Sequence, residues 1–523
     1  MASSIRRGDS LAVGLAVNYA GKVVVAVLSV VALSLLYQWL GREAFGLFGF
    51  FYSLQAIISL LDVGVSSALQ RDLASLSHQS GDQSRRLRMR QHIHTLELPM
   101  LLAAIVFCAC TIAGAFWLAE HWLQPQTLSH ASVASSVRWM ALAATSQFLC
   151  VFYMASLNGL SQFKWVNSVQ TAFTLLRFAL MLTLAGWAFR ADYATEDRVV
   201  GVFAVWAIAN LFTAITLRKV LMRNFSDMDR TALRMDCSYM KKALVFGASV
   251  AATSLLIMAF NQIDKFAASK TLTLPDLGRY AVIWSLTEVL YLFYQPIYTS
   301  FFPLLTARVV ESSRPDLHAA VQLAWDCMSL AVVPAALTVL VLPHYAIWVW
   351  SDDAAFGQSW GHMLAFAMVG ATVNAYLFVA FTLVQARDGL ILWARFLGLA
   401  LVFYVPVSLL SLSYFGASGG VIAWSLATTV VSTILVVSCF SDIRYQGVRS
   451  ALFVSAFKTI VLCLVVACSV RWLLPEAVGR WSALGALICM GLSLYAVAAM
   501  VQHALVMRML MRLRALLLRR ESA

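Results

Sequence analysis

The sequence predicts an all-α polytopic membrane protein of about fourteen transmembrane helices, on three grounds: composition, recurring apolar runs of bilayer length, and the placement of charge. Of 523 residues, 61% are hydrophobic and only 12% are charged, a balance foreign to water-soluble domains. Apolar stretches recur from Leu11 to Met507 and leave no room for a separate soluble catalytic domain. Lipid cannot satisfy an exposed backbone, so each long run is expected to be a helix. The 38 Lys and Arg against 25 Asp and Glu give a net charge of +13, but these charges fall mostly between the runs. That distribution reads as membrane topology and argues against nucleic-acid binding.

In chain order the spans begin near Leu11, Ala44, Thr95, Val133, Trp165 and Val199, then near Ala243, Gly278, Val321, Gly361, Gly389 and Gly416, and last near Leu452 and Trp481. The first follows MASSIRRGDS without a small-residue cleavage pattern and is expected to be retained. Charge alternates from one connector to the next. One set holds Arg6 and Arg7, Arg71 with Arg85, Arg86, Arg88 and Arg90, the run Arg218 to Lys242, then Arg308, Arg387, Arg444 and the tail Arg508 to Arg520. The other set is poor in cations: Glu120 to His130 has no Lys or Arg, Ala191 to Arg198 is net acidic, and Asp352 and Asp353 dominate a third segment. The basic set is expected in the cytoplasm together with both termini. The tail alternates Arg with Leu and Met, the pattern of an amphipathic helix drawn to anionic lipid.

The longest polar connector, 222–242, separates a predicted N-terminal lobe at 1–221 from a C-terminal lobe at 243–440; 441–507 adds a helix pair and 508–523 forms the basic tail. A short internal repeat agrees with two six-helix lobes, since Leu40-Gly41 with Phe45-Gly46 is echoed by Leu277-Gly278 with Tyr280-Ala281. Such a repeat places a substrate path in a central cavity between the lobes.

Ionisable residues inside spans usually face a bundle interior or a wet passage, because a charge in hydrocarbon is costly. In the first span Asn18 and Lys22 are four apart and share a face. The second carries a polar stripe of Tyr52, Gln55, Ser59, Asp62 and Ser66. The fifth repeats it with Asn167, Gln170, Thr174 and Arg177, and Arg177 falls near mid-bilayer, too deep to snorkel. In the eighth, Glu288, Tyr291, Gln295, Tyr298 and Phe302 form a stripe suited to a sugar or an amphipathic ligand, and Pro296 marks an expected kink. Lys22, Arg177, Asn18, Glu288, Tyr291, Gln295 and Tyr298 are thus candidate substrate-binding residues, with internal charge pairing or ordinary aromatic packing as the alternatives. Asp62, Asp264, Lys265 and Arg138 are candidates for gating or ion coupling; like Asp326 they lie near span ends, where a structural or interfacial role is equally open.

Other chemistry finds no support. Gly21-Lys22 lacks the spacing and the Ser or Thr of a phosphate-binding loop, and Gly416 to Gly420 opens a helix where a nucleophile elbow needs a strand before it. His92 and His94 sit beside arginines on a solvated face, and the nine cysteines lie almost all in apolar runs, so no metal, disulfide or cofactor is expected.

The order of these features resembles the polysaccharide-transporter branch, the O-antigen flippases, of the multidrug/oligosaccharidyl-lipid/polysaccharide exporter superfamily. The resemblance rests on Asn18 with Gly21, on Leu40-Gly41-Arg42-Glu43-Ala44-Phe45-Gly46, and on Leu61-Asp62-Val63-Gly64-Val65 with Arg71. It continues through Asn261-Gln262-Ile263-Asp264-Lys265, Leu277-Gly278-Arg279-Tyr280-Ala281, Phe302-Pro303 and Gly416 to Ala423. It implies an antiparallel pair of lobes around a cavity, alternating access, and an undecaprenyl-diphosphate-linked oligosaccharide as cargo in the bacterial inner membrane. It further implies membrane lipids as surroundings and a polymerase and other polysaccharide-assembly proteins as partners. A cationic cavity for the diphosphate or acidic sugars would use Lys22 and Arg177. Competing readings are a multidrug extruder of the same fold, which Lys22 and Arg177 oppose and Asp62 keeps open, a membrane glycosyltransferase or polymerase, which the short outer segment His344 to Trp360 disfavours, and a non-transporting scaffold, which would not need polar stripes on several spans.

Overall fold

Two glycines in left-handed backbone conformations divide the longest helices. The computed structural model describes residues 2–62, 64–77, 82–225, 235–311, 314–385, 390–441, 446–474, 476, 479–503 and 507, and its side-chain description begins at Leu28. Helix α1 (Ala2–Ser59) breaks at Gly41, with φ 85° and ψ 171°. Among the described residues every regular element is helical. After α1 come α2 (Val65–Ser77), α3 (Asp82–Ala113), the single turn α4 (Ala115–Trp117), α5 (His130–Gly159), α6 (Phe163–Arg190) and α7 (Thr195–Arg223). Beyond the connector run α8 (Cys237–Thr271), α9 (Leu274–Glu288), α10 (Tyr291–Glu311), α11 (Arg314–Val341), α12 (Pro343–Ser351) and α13 (Ala354–Gln385). The last described helices are α14 (Leu390–Phe440), broken at Gly416 with φ 58° and ψ −143°, then α15 (Gln446–Leu473) and α16 (Arg480–Val501).

Ten of the described helices are long and apolar enough to cross a membrane. As one rod, the 50 residues of Ile391–Phe440 would extend roughly 75 Å, more than twice a hydrocarbon core. The reversed φ at Gly416, which residues with a Cβ avoid, cuts the run into bilayer-length halves, and Gly41 does the same for the first run. Local chemistry starts other helices. Ser129 accepts from Ser132 N at 3.2 Å before α5, Asp236 accepts from Tyr239 N at 2.9 Å before α8, and Glu196 and Asp197 occupy the first turn of α7.

Two expected elements are placed differently. α1 ends at Ser59, and the tight turn Leu60–Asp62 resets the register, so Asp62 and Ser66 do not continue the stripe of Tyr52, Gln55 and Ser59. The eighth span breaks at Val289–Leu290 and not at Pro296, with Leu292 N and Phe293 N bonding three residues back to Val289 O and Leu290 O. Pro296 lies in the second turn of α10, where its missing N–H costs a single bond to Leu292 and the helix continues.

Contacts group the chain into two compact units, Met1–Ala281 and Val282–Ala523. In the first, α5 packs on α7, α2 and α3, α6 lies on α7 and α1, and α8 runs against α1, α2 and α3. A polar knot, buried at Glu97 and Tyr153 and exposed at Arg218, ties α3, α5 and α7: Glu97 accepts from Arg218 Nε at 2.6 Å and from the Tyr153 hydroxyl at 2.9 Å. In the second unit α13 packs on α14, and α11 seats the last helix pair. There Asp326 accepts from Ser455 Oγ at 2.6 Å, Gln502 Nε2 donates to Ser455 Oγ at 3.0 Å, and the Tyr495 hydroxyl donates to Ala331 O at 2.9 Å.

Candidate substrate-binding sites

Arg177 stands midway along α6, against α7. Its Nη1 donates to Asn210 Oδ1 at 3.1 Å, and the buried Asn210 is itself fixed by donating Nδ2 to Ala143 O of α5 at 3.1 Å. The guanidinium lies over the Trp206 ring at 4.6 Å and the Phe178 ring at 5.1 Å. Trp206 belongs to an aromatic wall with Phe48, Phe51 and Tyr52 of α1, at centroid distances of 5.8, 4.8 and 6.3 Å. An amide and aromatic faces thus orient the cation, and among the described residues no carboxylate forms a salt bridge with it. Its Nε is buried without a hydrogen-bond partner.

The magnitudes matter. A cation–π contact over Trp contributes about 0.5–2 kcal/mol and a hydrogen bond to a charged group about 1.5–3 kcal/mol. Desolvating an ion costs several kcal/mol, which the two ring contacts and the Asn210 bond together roughly offset, while the Nε is left as a donor open to an anion. Guanidinium grips phosphate oxygens in a planar fork, which suits it to that task.

The second unit presents a different surface. Along α10, Tyr291 meets Tyr294 edge-on at 5.1 Å, and Tyr294 and Tyr298 both lie on Phe378 of α13, at 5.0 and 5.2 Å. The Tyr298 hydroxyl donates to Gln385 Oε1 at 3.4 Å, while Gln295 Oε1 is buried with no partner. Tyr291, Gln295 and Tyr298 therefore share one face of tyrosines and carboxamides, the groups that stack on and hydrogen-bond to sugars. Tyr294, which the sequence did not single out, is the buried anchor of that face. Glu288 is exposed at the end of α9, beyond the break at Val289–Leu290.

The candidates for gating and ion coupling separate. Asp62 receives Ser66 N at 3.0 Å and Ser66 Oγ at 2.6 Å, which makes it a cap on α2. Asp264 is fully buried, accepts from the Tyr280 hydroxyl at 2.7 Å, and lies 3.7 Å from Lys265 Nζ, which donates to Asn261 O. Arg138 is exposed on α5. The side chains of Asn18 and Lys22 lie outside the described residues.

One carboxylate escaped sequence reasoning although its motif was visible. Glu43, buried two residues after the break at Gly41, accepts from Gln126 N at 2.6 Å, Thr127 N at 2.9 Å and Leu128 N at 3.3 Å, and from the Thr127 hydroxyl. An acid set between two glycines was the available signal. The two copies of the internal repeat also touch: a Cβ on Gly46 would meet the Leu274 carbonyl, and one on Gly278 would meet the Arg42 carbonyl. Only residues without a side chain permit that crossing of α1 and α9.

Broken apolar helices of bilayer-spanning length, a half-buried cation held by an amide and aromatic rings, and a face of tyrosines and carboxamides define a polytopic helical scaffold. Among solved structures, the chain is similar to the lipid II flippase MurJ in an inward closed conformation, with TM-score 0.70, 11% identity, and 94% of this chain and 99% of that one covered. It is also similar to an inward-facing multidrug resistance MATE family transporter of the MOP superfamily, with TM-score 0.59, 13% identity, and 81% and 96% covered. Both are likenesses of fold. No curated protein matches in sequence. Residues 11–308 match the model of the family described as polysaccharide biosynthesis protein, and the chain belongs to that family.

Proposed function

We propose that this chain is a flippase moving an undecaprenyl-diphosphate-linked oligosaccharide from the cytoplasmic to the periplasmic leaflet of a bacterial inner membrane, by alternating access, for O-antigen, capsule or exopolysaccharide synthesis. Family membership supports the link to polysaccharide, and the shared fold supports transport. The observation that carries the reading is Arg177, a half-buried mid-span guanidinium aimed by Asn210 and Trp206 and suited to a diphosphate. The Tyr291, Gln295 and Tyr298 face suits the glycan, and the basic station at Arg177 disfavours a cationic drug as cargo.

In this reading about fourteen spans arise from the ten apolar stretches, two further crossings created at Gly41 and Gly416, α8, and the joined α9 and α10. Both termini are cytoplasmic, and the lobes comprise 1–221 and 243–440. The protein acts as a transporter without enzymatic chemistry or cofactor, beside a polymerase and other assembly proteins.

The test is deletion of the gene followed by complementation. The deletion strain is expected to accumulate lipid-linked oligosaccharide on the cytoplasmic face, and the wild-type chain to relieve it. Arg177→Ala is expected to remain inserted and abundant yet fail to relieve it. Full complementation by Arg177→Ala would remove this residue from the mechanism, and no accumulation in the deletion strain would remove the substrate.

A further inference from the structure

The segment between α4 and α5 crosses one end of the first unit as a strap, and its two halves are fastened differently. Residues 121–124 hold the turn between α8 and α9. The Trp122 indole donates to Ser269 Oγ at 3.0 Å and lies 5.2 Å from the Phe266 ring. Lys270, in the last turn of α8, donates its Nζ to His121 O at 2.8 Å and stands over the Trp122 ring at 5.0 Å. Gln124 brackets the turn: its side-chain amide donates to Lys270 O at 3.2 Å, and its carbonyl accepts from Leu274 N, at the start of α9, at 2.9 Å. Both are backbone groups that a helix end leaves without an internal partner. Residues 126–129 are fastened on the other side. Glu43 takes the amides of Gln126, Thr127 and Leu128, and Glu196 takes Ser129 N at 2.9 Å and Ser129 Oγ at 2.8 Å. Pro125, with no N–H to give, separates the two sets.

The two halves differ in strength. Hydrogen bonds to a carboxylate are roughly twice as strong as those between neutral groups, and Glu43 is buried, which strengthens its bonds further. The bonds that join 121–124 to the α8–α9 turn end on carbonyls and a hydroxyl, and His121, Gln124 and Lys270 are exposed, so water competes for them. The weaker half is also the one that guards a packed crossing. Leu274, fully buried, packs its side chain and carbonyl on Gly46 of α1, where the two glycine motifs meet. In the two-lobe reading, the strap, Glu43 and Glu196 belong to the first lobe, whereas Ser269, Lys270 and Leu274 belong to the second. Relative motion of the lobes at this end therefore has to break the 121–124 bonds and can leave those of 126–129 intact.

We propose that 121–124 is a releasable latch on the α8–α9 turn: when it lets go, the start of α9 lifts from α1 at Gly46, while 126–129 stay seated on Glu43 and Glu196 and the strap pivots at Pro125. The latch rests on the alternating-access reading above. The test uses the full-length chain in a cysteine-free background in the deletion strain. Gln124→Cys/Lys270→Cys is bridged in spheroplasts with a bis-methanethiosulfonate reagent, which a reductant removes. Bridging is expected to cut relief of the lipid-linked oligosaccharide accumulation at least about tenfold, and the reductant to restore it. Ser129→Cys/Glu196→Cys, bridged in the half that stays seated, is expected to keep working. Full relief by the bridged Gln124→Cys/Lys270→Cys protein overturns the proposal, as does equal loss in the two bridged proteins. A second readout is independent of the cargo. In purified protein, the reaction of Leu274→Cys with a maleimide is expected to quicken at least about tenfold when Trp122→Ala is added, and to keep its rate when Ser129→Ala is added. A rate unmoved by Trp122→Ala overturns the latch whatever the protein carries. A quickened rate in a chain that does not relieve accumulation supports the latch and overturns the flippase reading instead. Should Trp122→Ala fail to fold, Lys270→Met, which loses the bond to His121 O and the ring contact, takes its place with the same two outcomes.

Discussion

At Asp264 the cost of an interior charge falls on two neighbours. Lys265 lies 3.7 Å away and supplies charge, while the Tyr280 hydroxyl, at 2.7 Å, supplies the hydrogen bond. Tyr280→Phe keeps the ring and removes that donor, so it is expected to cost about 1–3 kcal/mol. The loss should appear as a lower unfolding temperature in detergent, with expression in the membrane retained; an unchanged temperature would mean that the Asp264 carboxylate finds another donor. The sequence showed that Asp264 and Lys265 cluster near a span end, but their partner Tyr280 is sixteen positions away, on the next helix. The same limit applies at Arg177. Its mid-span position was legible, whereas the Asn210 and Trp206 that aim it sit on a different helix and carry no pattern tying them to it.

Among elements, close approach of backbones decides where substitution is tolerated. A Cβ at Gly278 meets the Arg42 carbonyl, so α1 and α9 must separate to accept even a methyl group. Gly485, inside α16, has open space around its Cβ direction. Gly278→Ala is therefore expected to lower the unfolding temperature sharply, by the overpacking cost of about 1–3 kcal/mol or more, while Gly485→Ala is neutral or stabilising by about 0.5–1 kcal/mol. Equal behaviour of the two variants in a thermal melt would show that the crossing is loose. The repeated glycine motif was visible in the sequence as a repeat, but its meaning as a mutual contact was not, because periodicity records similarity and not proximity. Helix breaks were legible only in part. A proline advertises itself, yet the chain bends at Val289–Leu290 and runs straight through Pro296, since a proline in a second turn removes one bond only.

For the whole molecule, hydropathy and charge made the helical membrane fold readable from composition alone, because lipid leaves the backbone no alternative. Within the first unit, Arg85, Arg86 and Arg88 at the start of α3 and Arg223 at the end of α7 gather at one end, while Glu43, Glu120 and Glu196 at the other end are accompanied by Arg198 and Lys270. In a cysteine-free background, a cysteine at Ser84 is expected to react with an impermeant maleimide only after the inner membrane is opened, and one at Ser482 to react in intact spheroplasts. Labelling at the reverse sites would invert the orientation, and labelling of both in intact spheroplasts would break the even count of spans. Local patterns could not announce the pocket lined by Ser77, Arg85, Gln162 and Asn224, because three connectors far apart in sequence assemble it.

The grip of Glu43 on residues 126–128 has a further consequence for time. A loop's amides normally trade their hydrogens for deuterium almost as quickly as those of an unstructured peptide. Here one carboxylate occupies three consecutive N–H groups, so Gln126, Thr127 and Leu128 should exchange slowly and in concert, as a helix does. Glu43→Ala, which leaves no acceptor, should release all three together, so that 126–128 exchanges at the rate of an ordinary loop while the helices on either side keep their protection.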